Sequence, residues 1–176
     1  MARNKEVIID TRLGQRSIDM DKVVRFPRGL AGFETERDFI LLQIRPEAPL
    51  LILQSVHTPQ VGLLVADPYS FLDKSYAPVL GPAERQLLQL EDPAEAVLLV
   101  TVSIPVGVPE QAALNLTGPI FINHKVRLGV QAPQSVEGPQ QINMHTLKPV
   151  APADPADPAD PVAPAEPAAP PEAPAE

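Results

Sequence analysis

The sequence predicts a mainly β protein: a compact antiparallel β-barrel-like single domain over residues 1–148, with one or two short helices, followed by a disordered C-terminal tail over residues 149–176. Three observations support this prediction. Eight short runs rich in Val, Ile and Leu have the length of strands, and turn-forming residues separate them. One segment has the pattern of an amphipathic helix. The end of the chain consists almost entirely of Pro, Ala, Asp and Glu.

The predicted strands follow one another through the whole domain. In residues 96–104, AVLLVTVSI, the apolar Val100 and Val102 alternate with Thr101 and Ser103, as in a strand with one buried face. Short strands joined by tight turns are typical of an antiparallel barrel or sandwich. In chain order, the predicted strands are residues 6–10, 22–26, 38–44, 50–56, 61–66, 96–104, 119–123 and 127–132. The predicted turns between them are residues 12–14, 27–32, 46–49, 58–59, 67–68 and 118–119.

A helix is predicted to begin at Pro82, because proline is favoured in the first turn of a helix and Gly81 precedes it. Three leucines within residues 87–90 provide an apolar stripe, and the Asp-Pro pair at 92–93 ends the segment. A second helical turn is predicted near residues 68–72, PYSFL. The remaining segments of the domain read as strands and turns.

The tail over residues 149–176 is predicted to be extended and disordered. It contains the repeat ADPADPADP at residues 153–161 and six acidic residues without a basic one. Proline donates no backbone hydrogen bond, and the tail has almost no large apolar side chain to offset the entropy of ordering. The whole chain carries a formal net charge of −8, of which the six acids of the tail account for −6, so residues 1–148 carry only −2.

Composition excludes several classes of function. The chain has no cysteine, which excludes disulfides and thiolate chemistry. No cluster of basic residues interleaved with aromatics is present, which disfavours direct nucleic-acid binding. The N-terminus has no apolar signal segment and no apolar run has the length of a membrane span. We therefore expect a cytoplasmic protein that does not contact a membrane.

Catalytic and metal-binding patterns are missing from the sequence, so we expect neither an enzyme nor a cofactor. His57, His124 and His145 are far apart, and none has a second histidine at metal-ligand spacing. The sequence contains neither a nucleophile elbow nor a phosphate-binding glycine loop. Asp67 precedes a proline after a strand, where it could act as an acid or base, but an Asp-Pro turn is the favoured interpretation.

Three stretches carry information beyond this general β pattern. The first, VVRFPRGLAGFE at residues 23–34, contains two of the five phenylalanines of the chain. The others are LQSVHTPQVGLLVADPYSF at residues 53–71 and VTVSIPVGVPEQAALNLTGPIFIN at residues 100–123. In this order they resemble the flagellar assembly factor FliW family of bacteria. The resemblance covers nearly all of residues 6–145 and leaves the tail outside.

The resemblance implies a binding protein without catalytic activity. Members of this family bind the RNA-binding translational repressor CsrA and prevent it from occluding the flagellin message. They also bind flagellin, and secretion of flagellin frees them to capture the repressor. The resemblance therefore implies two protein partners, a CsrA-type repressor and flagellin, and a compact antiparallel β-barrel-like fold with little helix.

Two interpretations of the turn in the first stretch remain open. Phe26 and Phe33 either belong to the core, with Gly29 and Gly32 supplying positive-φ turns, or the turn holds Leu30 and Phe33 at the surface as anchors for a partner. The amides of Asn115 and Asn123 either cap turn backbone or bind a partner. The candidate partner-binding residues are Leu30, Phe33, Glu34, Asp67, Asn115 and Asn123.

This chain has His57-Thr58 where the family pattern has an acidic pair. Acids that meet a basic repressor must therefore come from elsewhere, for example Glu34, Glu36, Asp67 or Glu110.

Two alternative functions remain open. One is a flagellin-binding chaperone without a repressor role. The other is a β-barrel that binds a small molecule, which a deep apolar pocket would favour and a filled barrel interior would oppose.

Overall fold

The computed structural model describes residues 5–135 and 140–146. The tail predicted over residues 149–176 lies outside the described residues. The described part of the chain contains strands β1 Glu6–Thr11, β2 Gly14–Asp19, β3 Val24–Arg25, β4 Asp38–Gln43, β5 Leu50–Ser55, β6 Gly62–Ala66, β7 Ala96–Ser103, β8 Ala113–Asn123, β9 Leu128–Gln131 and β10 Gln141–Asn143. It also contains one α-helix, α1, at Pro82–Leu87. Short 3-10 helices lie at Met20–Lys22, Pro68–Ser70, Pro93–Glu95, Pro109–Gln111 and Met144–Thr146.

Eight of these strands form one sheet that closes on itself. Its order is β10-β8-β7-β6-β5-β4-β3-β9, and β9 also pairs with β8, so that the strands from β3 to β9 form a ring. All neighbours in the ring are antiparallel except β3 and β9, where Arg25 pairs with Leu128 in parallel orientation. The prediction of a mainly β, barrel-like domain with very little helix is confirmed.

Large apolar side chains fill the interior of the ring. Phe26 and Phe39 are fully buried and meet edge to face, with ring centroids 5.4 Å apart. Strands β4, β5 and β6 contribute alternate residues to this interior, for example Phe39 and Leu41 of β4, as the period of two requires. The buried residues of the interior cluster are Val24, Phe26, Leu30, Phe39, Leu53, Val65, Leu99, Ile120 and Ile122.

The two polar strands were not predicted from the sequence. β2, GQRSID, has almost no apolar residue and is defined by its antiparallel pairing with β1. β10 is short and pairs with the first residues of β8. The strand predicted over residues 22–26 is also shorter, because residues 20–22 form a 3-10 helix and leave only Val24–Arg25 paired.

The turn predicted at Gly118-Pro119 is wrong, because both residues lie inside β8. The register of β7 and β8 shifts between Leu99 and Thr101 of β7. β8 therefore forms a bulge that includes Gly118 and Pro119. A proline has no N–H to donate, and a bulge is a place where the ladder requires none. The carbonyl of Pro119 instead accepts the N–H of Ala132, the residue after β9, at 2.9 Å.

Helix α1 begins as predicted, with Gly81 as N-cap and Pro82 in the first turn. It ends earlier than the leucine pattern indicates, because Gln89 adopts a φ of 53° and reverses the chain. The N–H of Leu90 then bonds the carbonyl of Arg85 at 3.0 Å, which is the hydrogen bond that closes a Schellman motif. Leu88 is fully buried between the helix and the outer face of β8 and β9.

Strands β1 and β2 form a separate hairpin attached to one end of the barrel. The N–H of Arg12 bonds the buried side-chain oxygen of Gln54 at 3.0 Å, and its guanidinium donates to the carbonyl of Gly62 at 2.8 Å. The hairpin turn is thus attached to the connection between β5 and β6. Within the part of the chain described, no helix combines the length and hydrophobicity that crossing a membrane requires.

Candidate functional site

The candidate site is the end of the barrel at which three loops meet, residues 26–37, 56–61 and 104–112, and we call it the loop end. The first two loops are joined directly, because Asp38 and Phe39 of β4 lie beside Ser55 of β5. β7 runs antiparallel to β6, so its last residues point toward the Gly62 end of β6, where loop 56–61 also lies. The loop end therefore contains a part of each of the three stretches singled out in the sequence.

Loop 26–37 folds back on itself and places its apolar residues in the barrel. Gly29 and Gly32 adopt φ values of 69° and 82°, which other residues reach only with strain. The N–H of Gly29 bonds the carbonyl of Phe26 at 2.9 Å, and Phe33 bonds Leu30 at 2.8 Å. Leu30 is only 2 % exposed, so the expectation that the turn holds Leu30 at the surface is wrong: the tight turn tucks it into the core.

Phe33 and Glu34 lie at the boundary between core and solvent. Phe33 is half-buried and packs against the interior cluster. Glu34 is exposed, and its carboxylate accepts the N–H of Gly32 at 2.9 Å. Backbone hydrogen bonds from Gly32 and from Glu34 itself lower the pKa of this carboxyl group. Glu34 is therefore a surface anion whose position the turn fixes.

Loop 56–61 is organised by the fully buried side chain of Gln54. Its amide nitrogen lies 3.0 to 3.4 Å from the carbonyl oxygens of Ser55, Thr58, Pro59 and Val61. Its amide oxygen accepts the N–H of Arg12, as described above. A single buried side chain thus forms hydrogen bonds with backbone groups along the whole loop. This role accounts for the glutamine of the LQS motif.

Glu36 joins loops 26–37 and 56–61. One carboxylate oxygen accepts the hydroxyl of Ser55 and the other accepts that of Thr58, both at 2.6 Å. These two hydrogen bonds, with a smaller contribution from the charge of His57, lower the pKa of Glu36 against the opposing effect of burial. His57 in turn contacts Asp38 at 3.1 Å. The loop end therefore carries the acidic residues Glu34 and Glu36 of loop 26–37 and Asp38 at the start of β4.

Gln131 of β9 joins loop 26–37 to the third stretch. Its side-chain oxygen accepts the N–H of Ala31 at 2.8 Å, and its nitrogen donates to the carbonyl of Gly118 at 3.0 Å. A Cβ at Gly118 would lie 2.8 Å from the Gln131 nitrogen, so a larger residue there would displace this side chain. Sequence reasoning did not single out Gln131, since no local pattern reveals a contact across 100 residues of chain.

Loop 104–112 carries the most exposed large apolar side chain among the described residues. Val106 is fully solvent-exposed, and Ile104 beside it is 42 % exposed. The turn is closed by a hydrogen bond from the N–H of Val108 to the carbonyl of Pro105 at 3.2 Å, and Gly107 adopts a φ of 79°. A tight turn with a fully exposed valine at its tip is a suitable apolar contact for a protein partner.

Of the other three predicted site residues, Asp67 and Asn123 lie away from the loop end, and Asn115 lies in the first residues of β8, next to loop 104–112. Asp67 follows β6 at its opposite end, where Ala66 pairs with Leu50. Its carboxylate caps the 3-10 helix by accepting the N–H of Tyr69 at 2.9 Å, which confirms the turn interpretation. It is exposed.

The two asparagines organise backbone within the fold. Asn115 accepts the N–H and the hydroxyl of Thr117 at 3.1 and 2.7 Å. Asn123 is 2 % exposed, donates to the carbonyl of Leu88 at 3.0 Å and accepts the N–H of Lys125 at 3.0 Å. Capping of turn backbone, one of the two interpretations kept open, is thus observed for Asn123, whereas Asn115 bonds a residue inside β8. Among the described residues, no group of three His, Cys, Asp or Glu side chains is placed to hold a metal ion.

Comparisons with known proteins agree on one family. The family model described as "FliW protein" matches residues 6–145. The flagellar assembly factor FliW of Desulfovibrio desulfuricans is 72 % identical over 151 residues, covering 85 % of this chain and 91 % of the relative. That of Nitratidesulfovibrio vulgaris strain DP4 is 55 % identical over 146 residues, covering 82 % and 84 %. A crystal structure of the flagellar assembly factor FliW superimposes with a TM-score of 0.71 at 31 % identity, covering 78 % of this chain and 96 % of that one. The chain belongs to the FliW family of flagellar assembly factors.

Proposed function

We propose that this protein is a non-catalytic, cytoplasmic regulator of flagellar assembly that binds a CsrA-type translational repressor and exchanges it for flagellin. The observation that carries the proposal is the family match over residues 6–145, which includes the three stretches that form the loop end. By relieving the repressor, the protein would allow translation of flagellin to resume when free flagellin is scarce.

The loop end has the chemistry that a basic protein partner requires. Glu34 and Glu36 have lowered pKa values, so their negative charges persist into acidic solution. Val106, Ile104 and the exposed part of Phe33 provide apolar contact area on the same end. Charges of this kind select the partner and its orientation, whereas buried apolar area contributes most of the affinity.

The six candidate residues take different roles in this proposal. Phe33 and Glu34 contact the repressor at the loop end. Leu30, Asn115 and Asn123 support the partner surface from within the fold, since their side chains are engaged there. Asp67 lies at the opposite end of β6, and we propose that it contacts flagellin.

The direct test is to mix the purified full chain separately with the repressor and with flagellin and to measure both affinities. Val106→Asp should weaken repressor binding at least tenfold, about 1.4 kcal/mol, because it places a charge in the apolar contact. Val79→Asp is the matched control, since Val79 is 70 % exposed and belongs to the segment between Tyr76 and α1, away from the three loops.

If Val106→Asp binds the repressor as tightly as the unmodified chain does, the loop end is not the surface that binds it. Binding of flagellin without any binding of the repressor would favour the chaperone alternative instead. The small-molecule alternative is opposed by the packed interior of the barrel, in which nine apolar side chains fill the space that a ligand would occupy.

A further inference from the structure

The barrel has a second opening at the end where β8 turns into β9, and we call it the mouth. It is a groove of about 210 Å³ whose floor is apolar: Val24, Leu41, Val97 and Ile122 line it. Val97 remains 40 % exposed there. A space of this size accommodates one small apolar side chain and has no occupant within the described part of the chain.

The rim of the mouth is basic although the chain as a whole is acidic. Lys22, His124 and Arg127 line it, and all three are exposed. None of them forms an ion pair with another described residue, whereas Lys125 in the same turn pairs with Glu95. The unpaired charges of Lys22 and Arg127 beside an apolar floor favour a ligand that combines carboxylates with a small apolar group.

Arg127 supplies an independent indication. It adopts a φ of 59°, a conformation that glycine or asparagine reaches with less strain. Its carbonyl accepts the N–H of Arg25 at 2.8 Å, which holds this backbone in place. Because a long cationic side chain occupies a backbone conformation that favours glycine, we infer that its charge has a function.

We propose that the mouth binds the acidic tail of this same chain, with Val162 over the apolar floor and Asp160 and Glu166 against the basic rim. The tail has the required chemistry: it carries six acids without a base, and Val162 stands between two of them. Attachment to the same chain raises its local concentration into the millimolar range, so weak contacts suffice.

The length of the tail is sufficient for this contact. The described chain ends at Thr146 near the start of β8, where the N–H of Met144 bonds the carbonyl of Ala112 at 2.7 Å. The mouth lies at the other end of β8, roughly 24 Å away, because β7 covers the same distance in the seven strand steps from Ser103, opposite Ala113, to Ala96, opposite Asn123. Val162 is 16 residues beyond Thr146, which spans roughly 50 Å in a proline-rich chain. The nearer Val150 is too close to Thr146 to reach.

The test uses the absence of cysteine, which makes Ala163→Cys the single attachment point for a nitroxide label on the full chain. Methyl NMR then reports which side chains the label approaches. We expect paramagnetic broadening of the Val97 and Ile122 methyls and none at Val106 on the loop end. Raising the ionic strength from about 0.05 M to about 0.5 M should abolish the broadening, because exposed charges are screened.

A charge variant, Lys22→Gln with Arg127→Asn, should lose the broadening, and asparagine keeps the backbone conformation of residue 127 accessible. Lys74→Gln, an exposed lysine outside the rim, is the matched control and should keep it. Broadening that survives in the charge variant, or that occurs at Val106 instead, overturns the proposal. A second result also overturns the proposal: the methyl signals of the mouth shift when decanoate is added to the labelled chain, but the label does not broaden them. The groove would then bind a free amphiphile instead of the tail.

Discussion

Gly29 is the residue on which loop 26–37 depends most. Its φ of 69° belongs to the left-handed region, and a Cβ at this position would lie 2.7 Å from the carbonyl oxygen of Phe33 and from the Cα of Glu34. Both contacts are with backbone, which cannot move aside without opening the turn. Gly32 has a similar φ of 82° but open space around it. A substitution at Gly32 therefore tests backbone strain alone, whereas a substitution at Gly29 tests strain together with a steric clash.

Gly29→Ala should lower the free energy of unfolding by about 3 kcal/mol, the sum of left-handed strain and the backbone clash. Gly32→Ala should cost only about 1 kcal/mol, since strain alone remains. Urea unfolding of both variants measures the difference. Equal losses would show that the loop relaxes around the added methyl group.

Phe33 contributes to both core and surface, which changes what its substitution is expected to do. We expect Phe33→Ala to lower the free energy of unfolding by about 2 kcal/mol, because the half-buried ring packs against the interior cluster. Repressor affinity should fall by about 2 kcal/mol or more as well, from loss of the exposed part of the ring. Denaturant unfolding and a binding titration on the same folded sample separate the two effects. Loss of stability with unchanged affinity would make Phe33 a core residue only.

At the scale of elements, the connection between β5 and β6 is held by side chains in addition to the backbone hydrogen bonds of Val61 with Ser55 and Thr58. Gln54 satisfies its carbonyl groups from inside, and Glu36 accepts the hydroxyls of Ser55 and Thr58 from outside. Buried amide groups that lose their partners are costly, so both contacts fix the loop. The geometry of the loop end therefore depends on a glutamine of β5 and a glutamate of loop 26–37.

Gln54→Met keeps the size of the side chain but removes its hydrogen bonds. We expect a loss of about 3 kcal/mol in the free energy of unfolding, since the carbonyl groups of loop 56–61 and the N–H of Arg12 lose a buried partner. Thermal unfolding measures it. Gln60→Met, an exposed glutamine of the same loop, is the control and should cost less than about 0.5 kcal/mol.

The lowered pKa of Glu36 makes the loop sensitive to acid. A carboxyl group whose pKa is lowered by folding stabilises the protein above its unfolded pKa, and this contribution is lost as the pH falls through the folded pKa. The difference in unfolding free energy between the unmodified chain and Glu36→Gln should therefore shrink as the pH falls from about 6 to about 3. Denaturant titrations across this range check it, with Glu47→Gln in the exposed loop before β5 as control. A difference independent of pH would show that Glu36 acts by shape alone.

At the scale of the whole molecule, residues 149–176 carry a formal charge of −6, whereas residues 1–148 carry −2. Removing residues 149–176 should change the melting temperature by no more than about two degrees, because exposed ionic contacts of the kind proposed at the mouth contribute little to stability. Scanning calorimetry of the two chains measures this. A drop of many degrees would show that the tail is part of the folded core.

Repressor binding by the full chain should weaken only modestly with salt, by less than about tenfold between 0.05 and 0.5 M. The reason is that the folded domain is close to neutral and its proposed contacts are largely apolar. Affinity is measured at both salt concentrations with and without residues 149–176. A steep dependence that persists after truncation would mean that charges on the folded domain, such as Glu34 and Glu36, dominate the affinity.

The sequence by itself determined the fold class and most of the elements. The runs that became β1 and β4 to β7 carry their own signal, since Val, Ile and Leu at strand length between turn residues require no distant partner to be recognised. The start of α1 was predictable for the same local reason, because proline at a helix start acts within its own turn. Three ordered motifs were also sufficient to indicate the family.

Only the tertiary structure decided where the candidate residues lie. β2 and β10 exist because other strands pair with them, and Gly118-Pro119 stays inside β8 because a bulge accommodates it. The burial of Leu30 depends on how its turn folds against the barrel. Glu36 meets Ser55 and Thr58 through the pairing of β4 with β5, and Gln131 meets Ala31 through closure of the sheet between β3 and β9. Such contacts join residues far apart in the chain, and no local pattern of hydrophobicity or turn residues encodes them.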